Sequence, residues 1–151
     1  MTDFDLPAFL IGVVEPERYM KWLRGRARAH GKRDDGRGHA QATVKNYMRL
    51  IHEAVIASNG RDYYTGQPLD WNLIGTYSNT ESKRGRHAYK RKFDRMPSVD
   101  HEVADATSAT FRICGWSTND SKHAMCTQEF TEMAGAILEH AGWTVTPPTA
   151  K

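Results

Sequence analysis

Three short stretches decide how this chain reads: Pro97-Ser98-Val99-Asp100-His101, then Phe111-Arg112-Ile113-Cys114-Gly115-Trp116, then Asn119-Asp120-Ser121-Lys122-His123. After Pro97 the residues alternate and favour extended backbone as far as Val103. Ala104–Ala109 is a run of small residues and reads as a loop. Phe111–Cys114 predicts a second strand, with Phe111 and Ile113 on one face and Arg112 on the other. A short helix is expected to start near Thr118. The local unit is therefore strand, loop, strand, helix.

That arrangement places chemically useful side chains together. Neighbours on a strand point to opposite faces, so Asp100 and His101 can serve different tasks, one holding a metal and the other facing a water. Asn119 and His123 are four apart, hence neighbours on one helical face and able to converge on one ion. Phosphodiester hydrolysis uses such parts. A divalent cation stabilises charge on the phosphate and the leaving oxygen. A neutral imidazole, with an ordinary pKa of roughly 6.5, can take a proton from the attacking water. Lys122 can hold a phosphate as a point charge.

Outward from this unit the chain is helical on both sides. Pro16 suits a first helical position, and Tyr19, Trp22 and Leu23 predict a helix to about His30. Gly31–Gly38 holds three glycines and no apolar residue, which predicts a loop or hinge. Tyr47, Leu50, Ile51, Ala54 and Val55 form one face of a second helix, ended by Asn59-Gly60. Tyr63–Leu69 reads as a tight turn. The polar stretch from Tyr77 to Arg95 suggests only a short helix over Ala88–Phe93. Thr127 is the expected cap of a last helix, whose Phe130, Met133, Ala134, Ile137, Leu138 and Ala141 form an apolar stripe assigned to the core. The expectation is an α+β chain, with a basic helical region over residues 1–58 packed on a ββα region with a C-terminal helix over 59–151.

The net charge of +3 over 151 residues hides a lopsided distribution. Residues 16–49 carry +7, residues 83–95 carry +6, and the remainder carries −10. The acidic share includes Asp100, Glu102, Asp105 and Asp120, in or beside the ββα unit. Two cationic segments read either as a polyanion-binding surface, since clustered Lys and Arg release counterions from phosphates, or as solvated charge-rich helices. Under the first reading, Arg24, Arg28 and Arg33 of the first segment and Arg84, Arg86, Lys90, Arg91 and Lys92 of the second meet phosphate. A hydrophobic fraction of 39% argues against wholesale disorder. No run of about 18 apolar residues occurs, so no membrane partner is expected. The opening residues lack a basic n-region, which speaks against a secretory signal. Cys114 and Cys126 are the only cysteines, too few for a disulfide framework or a four-cysteine zinc site, and a cytoplasmic setting is the default.

In order and spacing the three stretches resemble the HNH endonucleases with the ββα-metal (His-Me) finger, whose usual pattern is an Asp-His strand, a second strand starting Asn-Leu, and a helix opening with Cys-Asn-x-x-Lys or Cys-His-x-x-Lys. The turn Tyr64-Thr65-Gly66-Gln67-Pro68-Leu69 resembles the segment that precedes the finger in many of them. The resemblance covers roughly residues 61–125. It implies His101 as the general base, Asp100 and Asn119 as ligands of a divalent metal (Mg²⁺, with Mn²⁺ or another divalent ion as options), and His123 as a further ligand of the colicin-DNase kind. The family's Asn at the start of the second strand falls here on Thr110. Either Thr110 replaces that Asn in orienting the base, or rate is lost, or the register differs. The zinc-binding cysteine pairs of some members are missing, so no structural zinc is expected. Packing by Tyr63, Tyr64, Trp71 and Trp116 would hold the finger instead.

The resemblance implies a metal-dependent DNA endonuclease, with RNA not excluded, working as a nicking monomer or a double-strand-cutting homodimer. Each residue also has an ordinary role open to it. His101 could be a surface histidine, Asn119 a helix cap, His123 an exposed histidine, Lys122 a solvated charge, and Arg112 either solvated or a phosphate clamp. His30, His39, His52, His87 and His140 are read as structural or solvent-facing. Two other function classes stand beside the nuclease: an inactive, HNH-like nucleic-acid-binding module, and a protein-interaction domain using the basic helices.

Overall fold

The computed structural model describes residues 4–103 and 109–149; the rest of the expected Ala104–Ala109 loop, Asp105 included, lies outside the described residues. The elements in order are α1 (Pro16–Asp35), α2 (Val44–Ser58), α3 (Asn79–Arg91), β1 (Pro97–His101), β2 (Phe111–Gly115), α4 (Trp116–Lys122) and α5 (Thr127–His140). Mixed helices with one two-stranded antiparallel sheet make this an α+β chain.

α1 starts at Pro16 as expected but continues through the glycines to Asp35, a full turn past the predicted end. Gly31 does not break it. A Cβ there would meet the Ala42 carbonyl at 3.3 Å, so the glycine lets the returning chain lie against the helix. α2 is capped by the Thr43 hydroxyl, which accepts from Asn46 N–H at 3.2 Å, and ends on a left-handed Asn59. Tyr19, Trp22, Leu23 and Ala27 of α1 pack on Tyr47, Ile51 and Val55 of α2. Leu69, Trp71, Val99, Phe111 and Ile113 join the same cluster, so the core runs without a break across residue 58. This continuity is what holds α1 against β1.

The hairpin pairs Pro97 with Gly115, Val99 with Ile113 and His101 with Phe111. Gly115 is where β2 turns into α4, and a Cβ there would stand 2.9 Å from the Asp94 carbonyl. The buried carboxylate of Asp62 ties this corner to the preceding turn. It accepts from Gly115 N–H at 2.7 Å, Tyr64 N–H at 2.8 Å and Thr65 N–H at 3.0 Å. Charge-assisted bonds from three backbone amides thus do much of the fastening expected of aromatic packing alone. The four aromatics are divided instead. Trp71 sits in the main core, Trp116 packs on Tyr77, and Tyr63 and Tyr64 pack on each other.

Two expectations are corrected. α5 forms where expected, with Cys126 rather than Thr127 as N-cap, but its stripe is not core: Met133, Ile137 and Leu138 are 38%, 60% and 41% exposed. Phe130 of the stripe packs edge-on to Tyr64. The second basic segment forms a longer helix than expected, α3, capped by Ser78 and broken by non-helical backbone at Arg86, with no buried residue. Among the described residues no helix is long and apolar enough to cross a membrane.

Candidate functional site

A cleft of about 590 Å³ lies between α1 and the ββα unit. α1 contributes Arg26, His30 and Arg33, with Arg37 just beyond its end. β1 contributes Ser98, Asp100 and His101, and α4 with its C-cap contributes Asn119, Asp120 and His123. Asp100, His101, Asn119 and His123, singled out from sequence spacing, therefore share one cavity.

His101 is held from α1. Its Nε2 lies 2.7 Å from Oδ2 of the fully buried Asp34, which also accepts from the Tyr47 hydroxyl at 2.6 Å. Burial pushes the Asp34 carboxyl up, but hydrogen bonds from Tyr47 and His101, with the charges of His101 and His39, outweigh it and leave the pKa below the ordinary value. Asp34 is thus ionised and acceptor-only, so Nε2–H of His101 is the donor. The other ring nitrogen, Nδ1, faces Nδ1 of His30 at 3.2 Å. His30 Nδ1 accepts from the Arg33 guanidinium at 2.9 Å. Burial, then the neighbouring His101 and Arg33, lowers the His30 pKa to about 3, which keeps that ring neutral. The one in-plane lone pair of His30 Nδ1 is thus engaged by Arg33.

Asp100 points the other way along β1, as alternation requires. Its Oδ2 accepts from the Tyr64 hydroxyl at 2.6 Å and pairs with Lys122 Nζ at 3.1 Å. Lys122 also donates to the His101 carbonyl at 3.2 Å. It is fully buried, which corrects the expectation that it reaches a phosphate: this lysine neutralises Asp100 and braces β1. Asn119 donates its Nδ2–H to Ser98 Oγ at 2.8 Å, so the amide oxygen is its remaining donor atom for a metal. His123 caps α4 in a positive-φ conformation and is exposed.

Other expected residues stand elsewhere. Thr110 is exposed and outside the cleft; its backbone carbonyl accepts from Glu102 N–H, and it is Asp34 that orients His101. Arg112 pairs with Glu102 at 2.9 Å and lies over the Tyr63 ring, away from the cleft. Arg24 and Arg28 line a separate shallow groove with Lys21. Arg84, Arg86, Lys90, Arg91 and Lys92 are exposed on and just after α3 and do not line the cleft. Arg33 alone of the basic residues singled out from α1 does.

Sequence spacing contained a signal for the missed partners. Arg26, His30, Arg33 and Arg37 fall at i, i+4, i+7 and i+11, one face of a continuous helix. Reading 31–38 as a loop hid that face, and Asp34 with it. His30, assigned above to structural or solvent-facing roles, is a wall of the cleft.

The donor set suits a hard divalent ion: one carboxylate, one amide oxygen and one imidazole. Oδ2 of Asp100 is engaged by Tyr64 and Lys122, so an ion would have to use Oδ1. Among the described residues no three His, Cys, Asp or Glu side chains gather so as to hold a metal ion by themselves. Any ion here would complete its shell with Asn119 and with substrate or water oxygens, the usual habit of Mg²⁺. No family model, no curated protein and no solved structure matches this chain.

Proposed function

We propose that this chain is a metal-dependent endonuclease of the ββα-metal type that hydrolyses phosphodiester bonds in DNA. The observation that carries the reading is that His101, oriented by a buried carboxylate, shares one cleft with Asp100, Asn119 and His123 under an arginine-bearing helix face.

Asp34 holds His101 in the tautomer whose Nδ1 carries the lone pair that takes a proton from water, and stabilises the imidazolium that forms. Arg26, Arg33 and Arg37 bind the phosphates on either side of the scissile bond. Asp100, Asn119 and His123 would hold the divalent ion, which when bound supplies charge stabilisation at the phosphate and leaving oxygen. Lys122 and Tyr64 fix the Asp100 carboxylate.

The test is plasmid cleavage by purified protein with Mg²⁺ or Mn²⁺. Conversion of supercoiled to open-circular or linear DNA, lost in His101→Ala, is the expected result. A second reading, a nucleic-acid-binding module without cleavage, is favoured by one observation: the Lys122 ammonium already stands 3.1 Å from the carboxylate that a metal would use. It predicts salt-sensitive DNA binding and no cleavage with any divalent ion.

A further inference from the structure

A second hollow of about 390 Å³ adjoins the His101 cleft. The two are continuous, because Arg26, Ser98, Asn119 and Asp120 line both. The walls change character across that junction. The cleft side is lined by arginine, histidine and carboxylate, whereas the hollow is walled by Trp22, Tyr77 and Trp116 with Met96 and Pro97. Tyr77 and Trp116 are partly exposed and meet edge to face, their centroids 5.1 Å apart.

Arg26 stands at the junction and makes no ion pair among the described residues. Its side chain is exposed, so an anion can reach it from solvent, and no protein carboxylate competes for it among the described residues. A phosphate at the junction would supply that anion. Past it, aromatic walls suit a π-face, and the Asp120 carboxylate disfavours a second phosphate while accepting from the amino edge of a base.

We infer that this hollow is a nucleobase subsite, which takes the base of an unpaired nucleotide next to the phosphate held at Arg26 and makes a single-stranded or locally opened strand the preferred ligand of the cleft. It rests on the reading of the cleft as a phosphodiester site. A base inside a continuous duplex is stacked on both faces and cannot enter an aromatic hollow without being extruded, which costs a few kcal/mol. An already unpaired base enters without that penalty.

The experiment measures binding without cleavage, in EDTA at low salt, so its outcome does not depend on nuclease activity. Fluorescence anisotropy compares the affinity of the whole 151-residue chain for a labelled single-stranded 12-mer, the same strand with abasic residues at its four central positions, and the blunt duplex. The single strand is expected to bind more tightly than the duplex despite its lower charge density. Abasic replacement should weaken binding roughly tenfold or more, since each stacked base contributes about 1–3 kcal/mol. Tyr77→Ala and Trp116→Ala should erase the difference between intact and abasic strands. The abasic arm leaves the protein unaltered, so it decides the matter even where those variants fold poorly. Equal affinity for intact and abasic strands, tighter binding of the duplex, or no binding of the single strand would overturn the inference. Loss of cleavage in His101→Ala with the base-dependence intact would show the two claims to be separable.

Discussion

His101 and Asp34, 67 positions apart in the chain, meet at 2.7 Å, imidazole Nε2 to carboxylate Oδ2. The contact crosses from the ββα unit to α1, and the shared core makes it possible. It converts a strand histidine of no special character into one with a set tautomer, a set orientation and a buried counter-charge. Long-range ¹⁵N–¹H spectra of histidine-labelled protein should show His101 protonated at Nε2 near neutral pH. Asp34→Asn should abolish that preference, because an amide can accept or donate. A spectrum unchanged by the substitution would contradict the contact.

Acid should unfold the protein through two buried groups of this network. His30 has its folded pKa depressed to about 3, against roughly 6.5 for an unfolded histidine. The unfolded chain therefore binds the extra proton first, and stability declines as pH falls from about 6.5 toward 3. Asp34 is also depressed, so its contribution is present above the unfolded carboxylate pKa of roughly 3.9 and lost as pH falls through its folded value. Urea midpoints across pH 7 to 3 should decline for wild type and decline less for His30→Gln.

Asp62 should be a hinge point of stability rather than of chemistry. Its 4% exposed carboxylate accepts from three backbone amides, so Asp62→Ala leaves buried donors unpaired. A loss of about 3 kcal/mol is expected in urea unfolding. Asp62→Asn, which keeps an acceptor oxygen, should lose less.

Removing the Lys122 ammonium should expose the cation requirement of Asp100. Lys122→Met leaves a nearly buried carboxylate without its partner and should cost roughly 3–5 kcal/mol. Millimolar Mg²⁺ or Mn²⁺ should then raise the melting temperature of the variant more than that of wild type, as a ligand that binds the folded state does. Equal metal effects on both would count against Asp100 as a ligand.

On α5 the stripe of apolar residues should contribute little. Ile137, 60% exposed, should tolerate Ile137→Ala within about 0.5 kcal/mol, whereas Ile51→Ala in the core should cost about 2–5 kcal/mol. Paired thermal or urea unfolding of the two variants checks this directly.

Much of this architecture was legible in residue order because it is local. Asp100, His101 and Asn119 lie within a short hairpin-helix whose alternation and spacing can be read from sequence, and the periodic apolar face of Tyr47, Leu50, Ile51, Ala54 and Val55 announces α2. What was not legible depends on contacts across the chain. Gly31 reads as a breaker until Ala42 is seen packed against it. Asp34 reads as part of a loop until α1 is seen to continue through it and Tyr47 and His101 close over it. Periodicity shows that α5 has an apolar face but cannot show what, if anything, covers it. Lys122 is the reverse case, a motif lysine whose burial against Asp100 no local pattern predicts.

The most direct measurement is a side-by-side time course of supercoiled plasmid with Mg²⁺ or Mn²⁺, for wild type, His101→Ala and Asp34→Asn, with folding of each checked by circular dichroism. The account predicts cleavage by wild type, no detectable cleavage by His101→Ala, and a rate lowered by roughly two to four orders of magnitude in Asp34→Asn. Intact plasmid with the wild-type protein, or His101→Ala cutting as fast as wild type, would contradict it.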